Sequence, residues 1–420
     1  MKKPLLTFFI SLIIFSFFLT STSVFAQGWI QQNSNSSISF RTVYFIDQNI
    51  GYASGMSTSR TDIFKTNDGG NNWELIYSQQ GLPIFSLSFI NANTGMGVGA
   101  NGVNLRTTNG GNSWNQVLFS SSNLNSISFL DQNYGWVGGN YNFSSATIFK
   151  STNGGQSWNS VSNNLIGNIS IIHFLNINVG VAAMGIYIYK TTNGGSNWTP
   201  GFTSSNYKDI NSLNMINSDI GFAVGEYGLI LKTTDGGSNW DYQISGSADD
   251  LESVDFIDAN TGWIAGDDAT ILKTTNGGAN WGIQNTNLGL EFGLFDVQFL
   301  NANTGWAVGE DGKIIKTTSG GSVNVTLTGT ELPDEFKIFN NYPNPFNPVT
   351  KIKFQIPTST KVKLSVFNSN GLHVATLLNS NLIAGSYEAE FNANNLPSGI
   401  YFCKIEAGDF NHSIKMILIK

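Results

Sequence analysis

Apolar positions along this chain fall into three patterns. At the N-terminus the run LLTFFISLIIFSFFL is uninterrupted and follows Lys2 and Lys3. Beyond it, short segments such as Ile127-Ser128-Phe129 and Gly262-Trp263-Ile264 read as half-buried strands, separated by polar turns rich in Asn, Asp and Gly. In the last part Ile352, Phe354 and Ile356 alternate, as do Val362, Leu364 and Val366, the pattern of a small sandwich. Gly and Asn are abundant and good helix formers scarce, so the chain is predicted to be all-β.

The middle pattern is a repeat. FIDQNIGYASG followed by FKTNDGGNNW recurs as FINANTGMGVG with LRTTNGGNSW, and again as FIDANTGWIAG with LKTTNGGANW. The Trp residues after these turns stand at 73, 114, 158, 198, 240 and 281, at intervals of 41, 44, 40, 42 and 41. Such a period, with four short strands per unit, predicts propeller blades. Strand A carries the alternation, a turn such as Asn-Thr-Gly leads to B, C ends on a cation as at Leu272-Lys273, and Asn/Asp-Gly-Gly reverses the chain into D. Asn, Asp and Gly tolerate the positive backbone angles that tight reversals need. The last unit ends SGGSVNV without a Trp. However, Trp29-Ile30-Gln31-Gln32-Asn33 resembles Trp281-Gly282-Ile283-Gln284-Asn285 and begins 44 residues before Trp73. Seven blades are therefore expected, the N-terminal strand completing the seventh and leaving no free sheet edge to invite aggregation.

Repetition inside one chain marks what every blade needs in order to fold. On that ground the Gly-Gly turns, the Trp residues and the cations Lys65, Arg106, Lys150, Lys190, Lys232, Lys273 and Lys316 are read as structural. A ring of positive charge is one account of the cations; long stems snorkelling from between blades is the plainer one.

A length of 420 residues points to two domains of unequal size. With 28 carboxylate residues against 21 Lys and Arg, the chain lacks the basic excess that nucleic acid demands. The N-terminal apolar run is short for a bilayer, and Val24-Phe25-Ala26 supplies a cleavage site, so residues 1–26 read as a signal peptide cut between Ala26 and Gln27. The single Cys403 cannot form an internal disulfide. Six of the nine prolines lie from Pro333 onward, which marks a change of domain. The expected division is a propeller over 27–322, a linker over 323–340 and a small Ig-like β-sandwich over 341–420.

Two resemblances add to this reading. The turn Ser151-Thr152-Asn153-Gly154-Gly155-Gln156-Ser157-Trp158, like Thr233-Thr234-Asp235-Gly236-Gly237-Ser238-Asn239-Trp240, resembles the Asp box of bacterial neuraminidase repeats. That resemblance implies a hairpin remote from any active site, hence fold and not function. The continuous pattern, with Gly-Trp-Ala-Val-Gly at 305 to 309, is more similar to the photosystem II assembly factor branch of these propellers. Residues 331–420 resemble the C-terminal sorting domain of the type IX secretion system, through NYPNPFNPVTKIKFQIP, VKLSVFNSNGLHVATLL and LPSGIYFCKIEAGDFNHSIKMILIK. This second resemblance implies handling by the type IX secretion machinery, after export to the periplasm, and a place outside the cell or on the outer-membrane surface.

Candidate chemistry is sparse. A sialidase would need an Arg trio, a Tyr nucleophile with a Glu partner and an acidic proton donor. The propeller offers only Arg41, Arg60 and Arg106, the last at the repeated cation position. His173 lies in a strand A, while His373 and His412 belong to the sorting domain, so no His pairs with a base or joins a metal triad. The Arg-rich patch that the photosystem resemblance implies is absent. No catalytic residue, cofactor or metal is expected.

What varies between blades is charge and aromatic content. Residues 27–200 hold five acids and six bases, whereas residues 201–318 hold 16 acids and five Lys. Glu226, Asp249, Asp250, Glu252, Asp267, Asp268, Glu310 and Asp311 fall in B–C turns or D–A connections, which emerge on one face of a propeller. They form either a binding face for cations or a basic partner, or a surface that serves solubility. Tyr77, Phe85, Phe119, Tyr141, Phe143, Tyr207 and Phe292 break the repeat there and form either a stacking platform or filler between blades. The resulting expectation is a secreted, monomeric, non-catalytic propeller that binds a protein or glycan partner and no nucleic acid. A glycan-cleaving enzyme of sialidase-like fold and an assembly factor for a membrane complex are the alternatives.

Overall fold

The computed structural model describes residues 28–420, except 58, 59, 82, 118, 142–144, 162, 287 and 289–291. The expected signal peptide and its cleavage point at Ala26 and Gln27 lie outside the described residues. Blade one runs Ser39–Phe45, Gly51–Ser57, Arg60–Thr66 and Glu74–Gln80 as antiparallel strands A to D, and the repeat sets the same order in every blade. Blade seven takes Leu294–Phe299, Gly305–Gly309 and Ile314–Thr317 as A to C. Its fourth strand is Ile30–Gln32, in register Ile30 with Lys316 and Gln32 with Ile314. Consecutive A strands touch one another around the ring and so line its axis.

The seams between blades are aromatic. The strand A Phe lies across the first Gly of strand B in its own blade: a Cβ on Gly51 would stand 2.4 Å from Phe45, so only glycine fits. The other face of that ring receives an aromatic from strand B of the preceding blade. Trp306 stacks on Phe45 with centroids 3.5 Å apart, Trp263 on Phe299 at 3.5 Å, Trp136 on Phe174 at 3.9 Å, Phe222 on Phe256 at 4.0 Å and Tyr52 on Phe89 at 4.1 Å. The turn Trp then closes on the Phe edge-on, as Trp73 does on Phe45 and Trp29 on Phe299. Met96 and Val181 occupy the stacking position in the remaining two seams.

The repeated turns and cations complete the same junction. Thr66 Oγ1 accepts from Gly70 N at 2.8 Å, Asp68 Oδ1 accepts from Asn72 N at 2.9 Å, and Gly69 and Gly70 both take positive φ. The turn carbonyls face the preceding blade. Trp306 Nε1 donates to Gly69 O at 3.1 Å and Trp263 Nε1 to Gly320 O at 3.0 Å. Lys65 donates to Gly110 O at 2.8 Å, Arg106 to Gly154 O at 3.2 Å and Lys232 to Gly277 O at 2.7 Å. Six of the seven cations are thus bonded to a turn of the next blade, and Lys316 lies over the Trp306 ring, rather than merely snorkelling or forming a free positive ring.

The sorting region is a sandwich. One sheet orders His373–Leu382, Thr360–Asn368, Gly399–Ala407 and Phe410–Leu418, and the other contains Val349–Ile356 and Gly385–Asn392. Residues 323–340, expected to be a linker, are a correction. Val323–Gly329 is a strand paired on one edge with Gly282–Gln284, strand D of blade six, and on the other with Gly385–Asn392. Lys337–Ile338 forms a further edge strand. The alternating β-branched stretch Val-Asn-Val-Thr-Leu-Thr buries Val325 in a core shared by blade six and the sandwich.

Trp29 is 3% exposed and fills the last seam. Trp29→Ala should cost about 3–5 kcal/mol in chemical denaturation. Hydrogen exchange in the variant should speed up at Ile314–Thr317, the strand that the N-terminal segment covers.

Candidate functional site

Strand A carries the one position that escapes the seam. Its register with strand B skips a residue between Phe40 and Thr42, Ile84 and Ser86, Leu124 and Ser126, Ile210 and Ser212, Leu251 and Ser253, and Leu294 and Asp296. The bulged residues are Arg41, Phe85, Asn125, Asn211, Glu252 and Phe295, with Ser170 at the matching place in blade four. A bulge turns its residue out of the ladder. Because A strands line the axis, these seven side chains ring the mouth of the central opening. Arg41 lies over the Phe295 ring at 3.9 Å, Asn125 donates to Ile169 O at 2.8 Å and Asn211 to Leu251 O at 3.2 Å.

Below the mouth, side chains cap the unpaired inner edge of the next A strand. Ser212 Oγ accepts from Val254 N at 3.3 Å and Ser253 Oγ from Val297 N at 3.3 Å. Asp296 Oδ2 accepts from Val43 N at 2.9 Å and Asp255 Oδ2 from Phe299 N at 2.6 Å. Both Asp residues are half-buried at the channel wall and enclosed by protein on the seam side. Desolvation raises Asp255 to about 7 and Asp296 to about 6. Glu252 rises to about 7, chiefly through burial and then through Asp267 and Asp250. Burial also lowers His173 to about 4, so its imidazole is neutral near pH 7.

From the mouth a groove of about 450 Å³ runs outward over blades four and five. Ser170, Asn168 and Asn211 contribute polar groups to it, Met184, Ile166 and Tyr187 are its apolar wall, and Asp209 adds a carboxyl group. Ile166 is 80% exposed.

The residues singled out from sequence divide three ways. Glu226, Asp250, Asp267 and Glu310 gather beside Glu252 and act on one another electrostatically. Three of them also hold backbone: Glu226 accepts from Asp209 N, Glu310 from Gly293 N and Asp250 from Tyr227 N. Phe85 stands in the bulge ring. Asp311 is exposed at a B–C turn with φ 50°, Phe292 lies under Lys313 at 4.3 Å, and Tyr207 is 81% exposed beside the groove's blades.

Of the remaining residues, Phe119, Tyr77, Asp249 and Asp268 are corrections. Phe119 stacks on Trp158 at 5.5 Å and meets Phe149 edge-on, so it fills a seam. Tyr77 is half-buried within strand D of blade one, where it packs beside Ile63 and Tyr52. Asp249 and Asp268 are covered by the sorting domain, whose Asn381 donates to both. Tyr141 ends strand B of blade three, and its side chain, like all of Phe143, lies outside what is described. Sequence reasoning missed Arg41, Asn125, Ser170, Asn211 and Phe295. The signal was available: each stands four residues before the Phe or Met that ends strand A, where the residue varies from blade to blade.

Among the described residues no cluster of His, Cys, Asp and Glu could hold a metal ion. The comparisons with known proteins agree with this architecture. Residues 79–206 and 202–286 match the family described as photosynthesis system II assembly factor YCF48, and residues 340–420 match the secretion system C-terminal sorting domain. The chain is a YCF48-like propeller carrying a secretion sorting domain. A solved YCF48 bound to D1 peptide is similar at TM-score 0.59 and 19% identity, covering 70% of this chain and 97% of that one. YCF48 from Cyanidioschyzon merolae is similar at TM-score 0.57 and 19% identity, covering 69% and 98%. An ancestral GH74 enzyme is similar at TM-score 0.52 and 15% identity, covering 92% of this chain and 63% of that one. Identities this low show a shared fold alone. No curated protein matches the chain in sequence.

The YCF48-like propeller has two opposed pH responses. Asp255, Asp296 and Glu252 hold protons more tightly in the folded chain, so their contribution to stability is full in acid and disappears as pH rises from about 4 through about 7. Asp235 runs the other way: hydrogen bonds from Asn239 lower it to about 2, and its contribution is lost as pH falls through that range. Asp255→Asn should flatten the fall in Tm between about pH 5 and 8. Thermal denaturation at a series of pH values measures this, and an unchanged slope would remove Asp255 as a cause.

Proposed function

We propose that this chain is an exported, non-catalytic propeller that holds a segment of a protein partner across the channel mouth and the groove beside it. The observation that carries the reading is a division of labour. The repeated aromatics, Gly-Gly turns and cations are engaged at the seams, whereas the departures from repetition gather at one end of the ring. There they combine an apolar wall, side-chain amides and a half-ring of carboxylates, which suits an extended segment bearing a basic side chain. A propeller of the same fold bound to a peptide gives the reading a structural precedent. The sorting domain supports export by type IX secretion machinery and display at or beyond the outer membrane. An assembly role for a membrane complex draws support only from the YCF48 resemblance.

The test is an array of immobilised short peptides probed with the full chain. The pair Glu252→Gln and Asp267→Asn should lower binding of the best peptides at least tenfold, while Asp219→Asn, in an A–B turn at the opposite end of the ring, should leave it unchanged. Equal losses from both sets would contradict the assignment. Turnover of a fluorogenic glycoside that disappears in Glu252→Gln would replace binding with glycan cleavage.

Export has its own test. Deleting residues 331–420 should retain the protein within the cell envelope. Normal surface delivery of the truncated chain would deny the sorting domain that role.

A further inference from the structure

Two tyrosines on the connections of blades four and five hold backbone conformations that a bulky side chain disfavours. The B–C turn has the same form in four blades, and its second residue is left-handed in each: Asn101 at φ 47°, Asp268 at 53°, Asp311 at 50° and Tyr227 at 50°. Asn and Asp suit that place because their short polar side chains tolerate positive φ, whereas a large ring there is strained. Tyr227 thus stands where the sister turns carry Asn or Asp. Tyr207, in the connection from blade four to blade five, takes φ 56° as well.

Burial does not offset that strain, since Tyr207 is 81% and Tyr227 64% exposed. Lys208 links the two: it follows Tyr207 in the chain, donates to Tyr227 O at 2.8 Å and places Nζ 5.9 Å from the centre of the Tyr227 ring. Tyr187 in blade four and Tyr242 in blade five are exposed too, the second accepting from Ser205 N at 3.2 Å through its hydroxyl. Among the described residues these four are the exposed Phe, Tyr or Trp side chains of the propeller, and all lie on two adjacent blades. Asp209, Asn211 and Asn168 line the neighbouring groove, and among the described residues no cation pairs with Asp209. Strain kept without a return in packing marks side chains held for contact with something else.

We propose that Tyr207 and Tyr227, flanked by Tyr187 and Tyr242, form a platform for a β-1,4-linked glycan. In such chains the ring substituents are equatorial, so each sugar offers a flat face of C–H groups to the negative face of an aromatic ring. Its hydroxyls then donate to the Asp209 carboxylate and exchange hydrogen bonds with the amides of Asn168 and Asn211. The surroundings select this class over two others. A basic side chain would meet Lys208 already placed at the Tyr227 ring, in the contact that a cation seeks. A protein hot spot sits in a closely packed surround that excludes water, whereas these two rings stand exposed beside Lys208, Asp209 and Glu226. The platform lies beside the groove and does not depend on the peptide segment proposed for it.

Calorimetric titration of the full chain with cellopentaose, chitopentaose and, as the α-linked control, maltopentaose tests the proposal. One of the two β-1,4-linked chains should bind, and maltopentaose should bind more weakly. Tyr207→Asn and Tyr227→Asn should each weaken binding by about tenfold. Tyr227→Asn should at the same time raise Tm, because Asn suits the turn better than the ring it replaces. The pair Glu252→Gln and Asp267→Asn, which tests the peptide reading, should leave sugar binding unchanged. Four results would each overturn the platform: no binding of either β-1,4-linked chain, equal binding of maltopentaose, sugar affinity unmoved by both tyrosine variants, or a lower Tm in Tyr227→Asn, which would make the ring a part of the fold. Loss of peptide binding in Tyr227→Asn without any sugar binding would assign the rings to the protein partner instead.

Discussion

The stack of a strand B aromatic on the strand A Phe of the next blade is the contact on which the rest of this structure depends. In five of the seven seams the strand A Phe is held between its own blade's glycine and its neighbour's ring, so blade-to-blade spacing there is set by the thickness of aromatic rings, and Met96 and Val181 take the ring's place in the other two. The turn Trp closes the third side, and the cation of strand C reaches the turn carbonyl across the seam. Aromatic pairs add about 0.5–1.5 kcal/mol beyond the area they bury. Present in five of the seven seams, that contribution ties every blade to at least one neighbour. Trp29 shows the same logic at the closure: the chain's first described strand brings the aromatic that the last unit lacks.

That arrangement determines where function can lie. Residues in the seams are constrained by the geometry of the ring and vary only where another apolar side chain fills the same space, as Met96 and Val181 do. Strand D faces outward, and at blade six its edge is used to attach the sorting domain. The bulge in strand A is the place where a side chain leaves the ladder close to the axis, next to loops whose lengths the seam does not fix. A mouth assembled from Arg41, Phe85, Asn125, Ser170, Asn211, Glu252 and Phe295 is therefore free to be heterogeneous while the scaffold around it repeats. The acidic half of the mouth carries an internal cost: carboxylates at Glu252, Asp255 and Asp296 are forced into partial desolvation, and their raised proton affinity records that strain.

Much of the fold was legible because the seam imposes a period. Trp73, Trp114 and their equivalents recur at the spacing of blades, and the Gly-Gly pairs recur because both take positive φ. The strand over Val323–Gly329 was not legible as such. Its alternation is that of any short edge strand, and what fixes it is a pair of partners distant in sequence, Gly282–Gln284 and Gly385–Asn392. The candidate site was half legible. Charge pointed to the right end of the ring, but Asp249 and Asp268 carry nothing in sequence that reveals Asn381 above them. Phe119 breaks the repeat, as a binding residue would, yet it fills a seam, because variability in a loop can compensate for packing as easily as it can serve a ligand.

The central claim is that stacking across seams, rather than burial alone, holds the ring and fixes its mouth. A double-mutant cycle on Phe45 and Trp306, with each changed to Leu singly and together and stability read from urea denaturation, tests it most directly. Coupling of about 0.5–1.5 kcal/mol between the two positions is the predicted result. Losses that add to within about 0.3 kcal/mol would show that the two rings contribute independently, and would contradict the account.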